Sequence, residues 1–237
     1  EEKDRFSADI SFVGSMYHKN SYDDIKDKLP PYLRGYFDAA MLAQLNIYGD
    51  NIIDELLTVD ILKQLSEFVD FRQDKRAFSD IRLVFESTFL GFKLANIERV
   101  RTLNLLAKKN KVALYTDEQD TSLINVDFKG TVDYMNDMPK VFNNSSINLN
   151  MTIRNIRTGI PLRVWDILGA GGFLLTNYQI ELTDYFKNEE SIVYYEDMYD
   201  CCKKAEYYLL HEDKRRQIAA KGHELVSKKH SYINRVK

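Results

Sequence analysis

The stretch TGIPLRVWDILGAGGFLL, from Thr158 to Leu175, joins a short amphipathic segment to an apolar one through Gly169-Ala170-Gly171-Gly172. Pro161 suits the first turn of a helix, where a missing amide proton costs nothing, and the glycines supply a helix stop and a tight turn. Phe173 to Leu175 then reads as a buried strand. The order is helix, glycines, strand. A dinucleotide fingerprint needs the opposite order, strand, glycines, helix, so this stretch predicts an α-to-β joint and disfavours an NAD-dependent oxidoreductase. Gly159, Pro161, Gly169, Gly171 and Gly172 are five of only 14 Gly and Pro residues in the chain, which marks this window as a place of unusual backbone.

Working outward, Asp9 to Val13, Lys111 to Tyr115, Ile124 to Phe128, Ser146 to Leu149 and Ile192 to Tyr195 are further short apolar runs expected to be strands. Helices are expected near Pro139 to Phe142 and Pro161 to Leu168, and over Met198 to Leu210 and Asp213 to Lys229. Such alternation implies a mostly parallel sheet with helices on both faces. Between the first strand and the second, apolar residues recur at three and four spacing over Tyr32 to Tyr48, Ile52 to Leu57, Ile61 to Phe71 and Ala77 to Leu106, with Gly91 the only break in the last. The fold class is therefore α/β, a Rossmann-like doubly wound sheet with a helical insertion after its first strand. The reading takes 1–237 as a single domain with the insertion at about 20–108.

Composition fits that architecture. With 237 residues and 44% hydrophobic residues the chain can bury a sizeable core. Its 33 Lys plus Arg against 36 Asp plus Glu, a net charge of −3, argue against a dedicated binder of nucleic acid or anionic membrane. No apolar run reaches the roughly 20 residues of a membrane span, and a cytoplasmic location is expected. Adjacent Cys201 and Cys202 suit neither a disulfide nor a zinc site. The four histidines lack HxxxH or HExxH spacing and there is no DxD, so neither a metal nor another cofactor is expected.

In a doubly wound sheet ligands bind beyond the carboxyl ends of the strands, which directs attention to the residues after each strand. Gly14-Ser15 could border a phosphate or be a plain turn. Asn150, Thr152 and Arg154 could hold a hydroxyl-rich anion or form a solvated loop, with Arg157 adding charge. Thr158 or Gly159 could cap the helix behind Ile160 and Pro161, leaving its first amides and dipole to an anion. Arg163 and Asp166, three apart on one helix face, could meet a phosphate and a ribose hydroxyl, or simply pair with each other.

The segments SFVGSMY (Ser11 to Tyr17), GTVDYMNDMPKVFNNSSINLNMT (Gly130 to Thr152) and TGIPLRVWDILGAGGFLLTNYQ (Thr158 to Gln179), with the tail pieces HEDKRRQIAAKG and KKHSY, resemble the CgeB-like spore maturation glycosyltransferases of bacteria. That resemblance implies the nucleotide-sugar-binding C-terminal half of a GT-B glycosyltransferase, a metal-independent hexosyltransferase-like enzyme whose N-terminal half lies outside this chain. It places Gly14 and Ser15 beside the diphosphate, and Thr131, Val132 and Tyr134 beside the nucleobase. It also matches Asp166 to the second Glu of an E-x7-E motif, the acid that bonds the donor ribose. The first Glu of the motif would fall at Thr158, which has no carboxylate. A UDP-sugar is the expected donor, and the acceptor is a glycan, protein or small molecule. Arg154 and Arg163 are the electrostatic candidates for the diphosphate, and no catalytic residue is assigned. The competing expectation is a non-catalytic α/β protein whose helical block binds another protein.

Overall fold

The computed structural model describes residues 5–69, 80–230 and 234. The chain separates into two compact units. An α/β unit comprises Glu1–Met16, Arg99–Thr152 and Thr158–Lys237, and a helical unit comprises Tyr17–Glu98 and Ile153–Arg157.

The chain enters the α/β unit with β1 (Ala8–Val13). The helical unit follows with α1 (Ser21–Ile25), α2 (Pro31–Gln44), α3 (Ile53–Leu56), α4 (Val59–Ser66), α5 (Ile81–Val84), a π-helical segment Phe85–Gly91 and the first half of α6 (Phe92–Leu106). Back in the α/β unit come β2 (Val112–Tyr115), β3 (Val126–Phe128), α7 (Met138–Asn144), β4 (Ser145–Asn150), α8 (Leu162–Gly169), β5 (Leu174–Asn177), α9 (Leu182–Tyr185), β6 (Val193–Tyr195), α10 (Met198–Leu210) and α11 (Glu212–Lys229). Among the described residues no helix is long and apolar enough to cross a membrane.

All six strands are parallel and lie in the order β3-β2-β1-β4-β5-β6, so the winding reverses between β1 and β4. This is the doubly wound, Rossmann-like order, and it puts a crevice at the carboxyl ends beside that reversal. β2 reads clearly in the sequence because Val112–Tyr115 is apolar and buried at every position, the run that a sheet covered on both faces requires. One core packs Val141 and Phe142 of α7, Val164, Ile167 and Leu168 of α8 and Val226 of α11 against Val13, Ala113, Tyr115 and Leu174 of the sheet.

The glycines after α8 behave as the sequence predicts. Gly171 sits at φ +79, its amide bonds Leu168 O (3.0 Å), and the Gly172 amide bonds Ile167 O (2.9 Å), the paired bonds that close a helix end. At Gly172 a side chain has no room, since an added Cβ would stand 2.6 Å from Asn148 Nδ2 and 2.7 Å from Phe142 O. That crowding arises because buried Asn148 donates to Phe142 O (2.9 Å) and accepts from Ser11 Oγ (2.8 Å), tying α7, β4 and β1 together.

Three expected boundaries move. β3 begins at Val126 rather than Ile124, because Asn125 at φ +58 cannot sit in a strand. β5 runs on through Thr176 and Asn177, which find partners in Asn150 of β4 and Tyr195 of β6. Gly91 does not interrupt its helix but closes the π-helical segment, where a Cβ would lie 3.0 Å from Glu86 O, five residues earlier. Three-and-four spacing cannot distinguish that wider turn from an ordinary one. Residues 70 and 71 of one expected helix, and 77–79 of another, lie outside the described residues.

The helical unit has its own core. Leu33, Phe37, Ala40, Met41 and Gln44 are the buried positions of α2, a stripe of three and four spacing, and Leu33, Phe37 and Met41 pack with Tyr22, Ile53, Leu65, Phe85, Leu90 and Leu94. Burying each such large side chain contributes about 1.5 to 3 kcal/mol.

Candidate functional site

A cleft of ≈ 260 Å³ opens in the α/β unit at the carboxyl ends of the strands. Val13, Gly14 and Ser15 leave β1 along one wall, Tyr115, Thr116 and Asp117 leave β2 along another, and Thr131, Val132 and Tyr134 come from the segment after β3. Met138, at the start of α7, and Arg163, in the first turn of α8, complete it.

Each wall is held by the backbone. The Gly14 amide bonds Tyr115 O (3.0 Å), and the Thr116 amide bonds Gly130 O (3.1 Å), so parallel pairing continues past both strand ends. Gly130 at φ +73 turns the chain into Thr131. Arg99 of α6, buried, donates through Nη1 to Ser15 O and through Nη2 to Met151 O (2.6 Å). It thereby joins the segments leaving β1 and β4 across the point where the winding reverses. Sequence reasoning missed Arg99 because nothing in a helical pattern signals a cation directed at backbone carbonyls 52 and 84 residues away.

The charged part of the site lies on α8. Arg163 Nη1 stands 3.5 Å from Asp166 Oδ2, and Tyr134 donates its hydroxyl to Asp166 Oδ1 (2.9 Å). Arg163 also contacts Met138 Sδ and lies over the Phe142 ring at 5.6 Å. Burial lowers the pKa of its guanidinium, with the neighbouring Asp166 charge opposing that shift, yet an arginine stays charged in any such setting. A cation with restricted hydration beside a cleft can offer a strong, directional contact to an anionic oxygen.

The structure thus brings Gly14, Ser15, Thr131, Val132, Tyr134 and Arg163 to one cleft, with Asp166 bonded to two of them. The others lie elsewhere. Asn150 donates to Thr152 Oγ1 (3.0 Å) and Thr176 Oγ1 (2.9 Å), while Thr152 and Asn177 exchange bonds of 2.8 Å, so this polar cluster laces the ends of β4 and β5 and does not line the cleft. Arg154 belongs to the helical unit, buried against Glu98 (2.9 Å) and 3.7 Å above the Tyr48 ring. Arg157 pairs in the same unit with Asp54 (2.9 Å).

Helix capping also differs from expectation. The residue preceding α8 is Pro161, with no side-chain cap bond, so neither Thr158 nor Gly159 caps it. Both are exposed, Ile160 and Pro161 are half-buried, and the Gly159 amide is bonded by the Glu181 carboxylate. The residues the sequence reading missed, Thr116, Asp117, Met138 and Glu181, carry no signal of their own, since only the sheet topology brings them near the candidates. Among the described residues no three His, Cys, Asp or Glu side chains gather as a metal site.

No curated protein matches the chain in sequence. Among solved structures it is similar to a crystal structure of TarM, with a TM-score of 0.45 and 13% identity over 56% of this chain and 29% of that one. The chain therefore spans less than a third of the length of that structure. A family model described as glycosyl transferase-like matches residues 96–237, which take in β2 to β6 and all of α7 to α11. That match extends over more than half of the sequence, and the chain belongs to the glycosyl transferase-like family.

Proposed function

We propose that the chain is the donor-binding part of a glycosyltransferase and takes a nucleoside diphosphate sugar, with UDP as the expected nucleotide. The observation that carries this reading is the arrangement of Arg163, Asp166 and Tyr134 beside a cleft at the carboxyl edge of a doubly wound sheet. Arg163 and the first amides of α8 would receive the diphosphate, where the positive end of the helix favours an anion. Asp166 would accept a ribose hydroxyl in place of Tyr134. Thr131, Val132 and Tyr134 would flank the base, and Gly14 and Ser15 would border the diphosphate from β1. In such a site helix dipoles and basic side chains offset the charge that develops on the departing nucleotide. Transfer to a glycan, protein or small-molecule acceptor, and a CgeB-like setting, complete the reading.

The test is calorimetry of the chain with UDP, GDP, UDP-sugars, GDP-sugars and dTDP-sugars. Replacing Arg163 by Ala or Asp166 by Ala is expected to weaken binding of the preferred donor by about 1 to 3 kcal/mol each, the value of a charged hydrogen bond. Unchanged affinity in both variants would overturn the site.

A further inference from the structure

The turn after β5 brings a carboxylate to the segment that leads into α8. Tyr178 leaves the sheet with its amide on Tyr195 O (2.9 Å), and Glu181 ends the turn as the residue preceding α9. A glutamate there could bond the amides of its own helix, but α9 has no side-chain cap. Glu181 Oε2 instead accepts from the amide of Gly159, 22 residues earlier in the chain.

The Gly159 backbone takes a conformation that glycine allows. Its φ of +89 lies in the left-handed region, and an added Cβ would meet nothing within 4 Å, so glycine serves conformation here and not close packing. Two residues later Pro161 precedes α8 without a side-chain cap, and its carbonyl takes the Val164 amide (3.0 Å). The path from Gly159 to Pro161 leads directly into the first turn of α8, which carries Arg163, while Val164, Ile167 and Leu168 pack the helix on the core.

We infer that Glu181 is a positioning residue of the donor site: it holds the Gly159 amide and so fixes residues 158–161 ahead of the α8 amino end. The inference rests on the donor-site reading above. Glu181 acts through the backbone and not on the reacting atoms. An acceptor oxygen, and not the charge, is what the role requires.

The full chain, as Glu181→Ala and Glu181→Gln variants, separates these points. Two readouts are needed: exchange of the Gly159 amide proton, and UDP affinity by calorimetry with Arg163→Ala as the reference for a lost donor contact. In Glu181→Ala the Gly159 amide is expected to exchange faster and UDP to bind about tenfold more weakly, the scale of one lost hydrogen bond. Glu181→Gln, which keeps an acceptor oxygen, should restore both. Unchanged exchange in Glu181→Ala would overturn the anchoring contact. Faster exchange with unchanged UDP affinity would overturn its role at the donor. Tighter UDP binding in Glu181→Ala would overturn it too, by making the carboxylate a competitor of the phosphate. If the unaltered chain binds no nucleoside diphosphate, the donor-site reading falls and the donor role with it, while Gly159 exchange decides the anchoring contact separately.

Discussion

Replacing Glu98 by Gln tests whether Arg154 serves the helical unit and not a donor. Glu98 is 2% exposed and the Arg154 side chain 5%, with 2.9 Å between Oε1 and Nη2. Tyr48 donates its hydroxyl to the same oxygen (3.1 Å), and burial, reinforced by the Glu98 charge, pushes that hydroxyl above the usual tyrosine range. Glutamine keeps the shape and one acceptor but leaves the guanidinium charge unbalanced where water is excluded. Removing one partner of a buried pair costs about 3 to 5 kcal/mol. The Tyr48 ring 3.7 Å below Arg154 remains as a cation–π contact, so the lower end, about 3 kcal/mol, is expected. The assay is urea unfolding followed by far-ultraviolet circular dichroism for the unaltered chain, Glu98→Gln, Arg154→Met and the double variant. The double variant should be more stable than the sum of the two single losses predicts, because it removes both charges. A Glu98→Gln loss below about 1 kcal/mol would refute the buried-pair argument. So would an Arg154→Met chain that keeps its stability and loses UDP affinity, since Arg154 would then serve the donor and not the helical unit.

Further expectations concern backbone and pH. Gly172→Ala should cost about 3 kcal/mol or prevent folding, because the Cβ meets a backbone oxygen that cannot swing aside, whereas Gly35→Ala, in α2 with nothing within 4 Å, should add about 0.5 to 1 kcal/mol; thermal melting of both checks the contrast. Glu86 has a raised carboxyl pKa, chiefly from burial, against the opposing pull of Arg157 and the Asn51 bond. In the folded chain it holds its proton to higher pH than in the unfolded chain. Its contribution is therefore full below the ordinary carboxylate value of about 4.3 and declines as pH rises through the raised folded value. Glu86→Gln should gain stability relative to the unaltered chain as urea unfolding is repeated from pH 4 to pH 7; a variant that instead loses stability relative to the unaltered chain with rising pH would contradict this.

Much of the fold was legible because short runs rich in apolar residues, such as VALY in β2, recur between helical stretches, and because the glycine order after α8 admits only a helix-to-strand joint. Arg163 and Asp166 were legible as neighbours for the same reason, since a separation of three on a helix fixes a shared face. What stayed hidden depends on partners distant in sequence. Glu98 lies 56 residues from Arg154, and Glu181 lies 22 from Gly159. A polar cluster such as Asn150, Thr152 and Arg154 looks alike in sequence whether it faces a ligand or laces an interior. The π-helical segment was hidden because its apolar spacing matches that of an ordinary helix.

Arg99 and Arg163 of the α/β unit, and Arg154 and Arg157 of the helical unit, differ in how readily each could exchange its partner for a phosphate. Arg99 bonds two backbone carbonyls that a ligand would have to replace in place, and Arg154 faces a buried carboxylate whose release would leave an uncompensated charge. Arg157 is half-exposed and pairs with Asp54 at 2.9 Å in the helical unit. Arg163 meets Asp166 at 3.5 Å, well beyond the roughly 2.7 to 2.9 Å of a good charged bond, and Asp166 keeps a hydroxyl donor, from Tyr134 or from the ribose that replaces it, if Arg163 turns away. A phosphate oxygen at full hydrogen-bond distance would improve on that contact without orphaning the carboxylate. Exchange therefore costs least at Arg163, and a nucleoside diphosphate that binds this unit should lose affinity with Arg163→Ala before it responds to any of the other three.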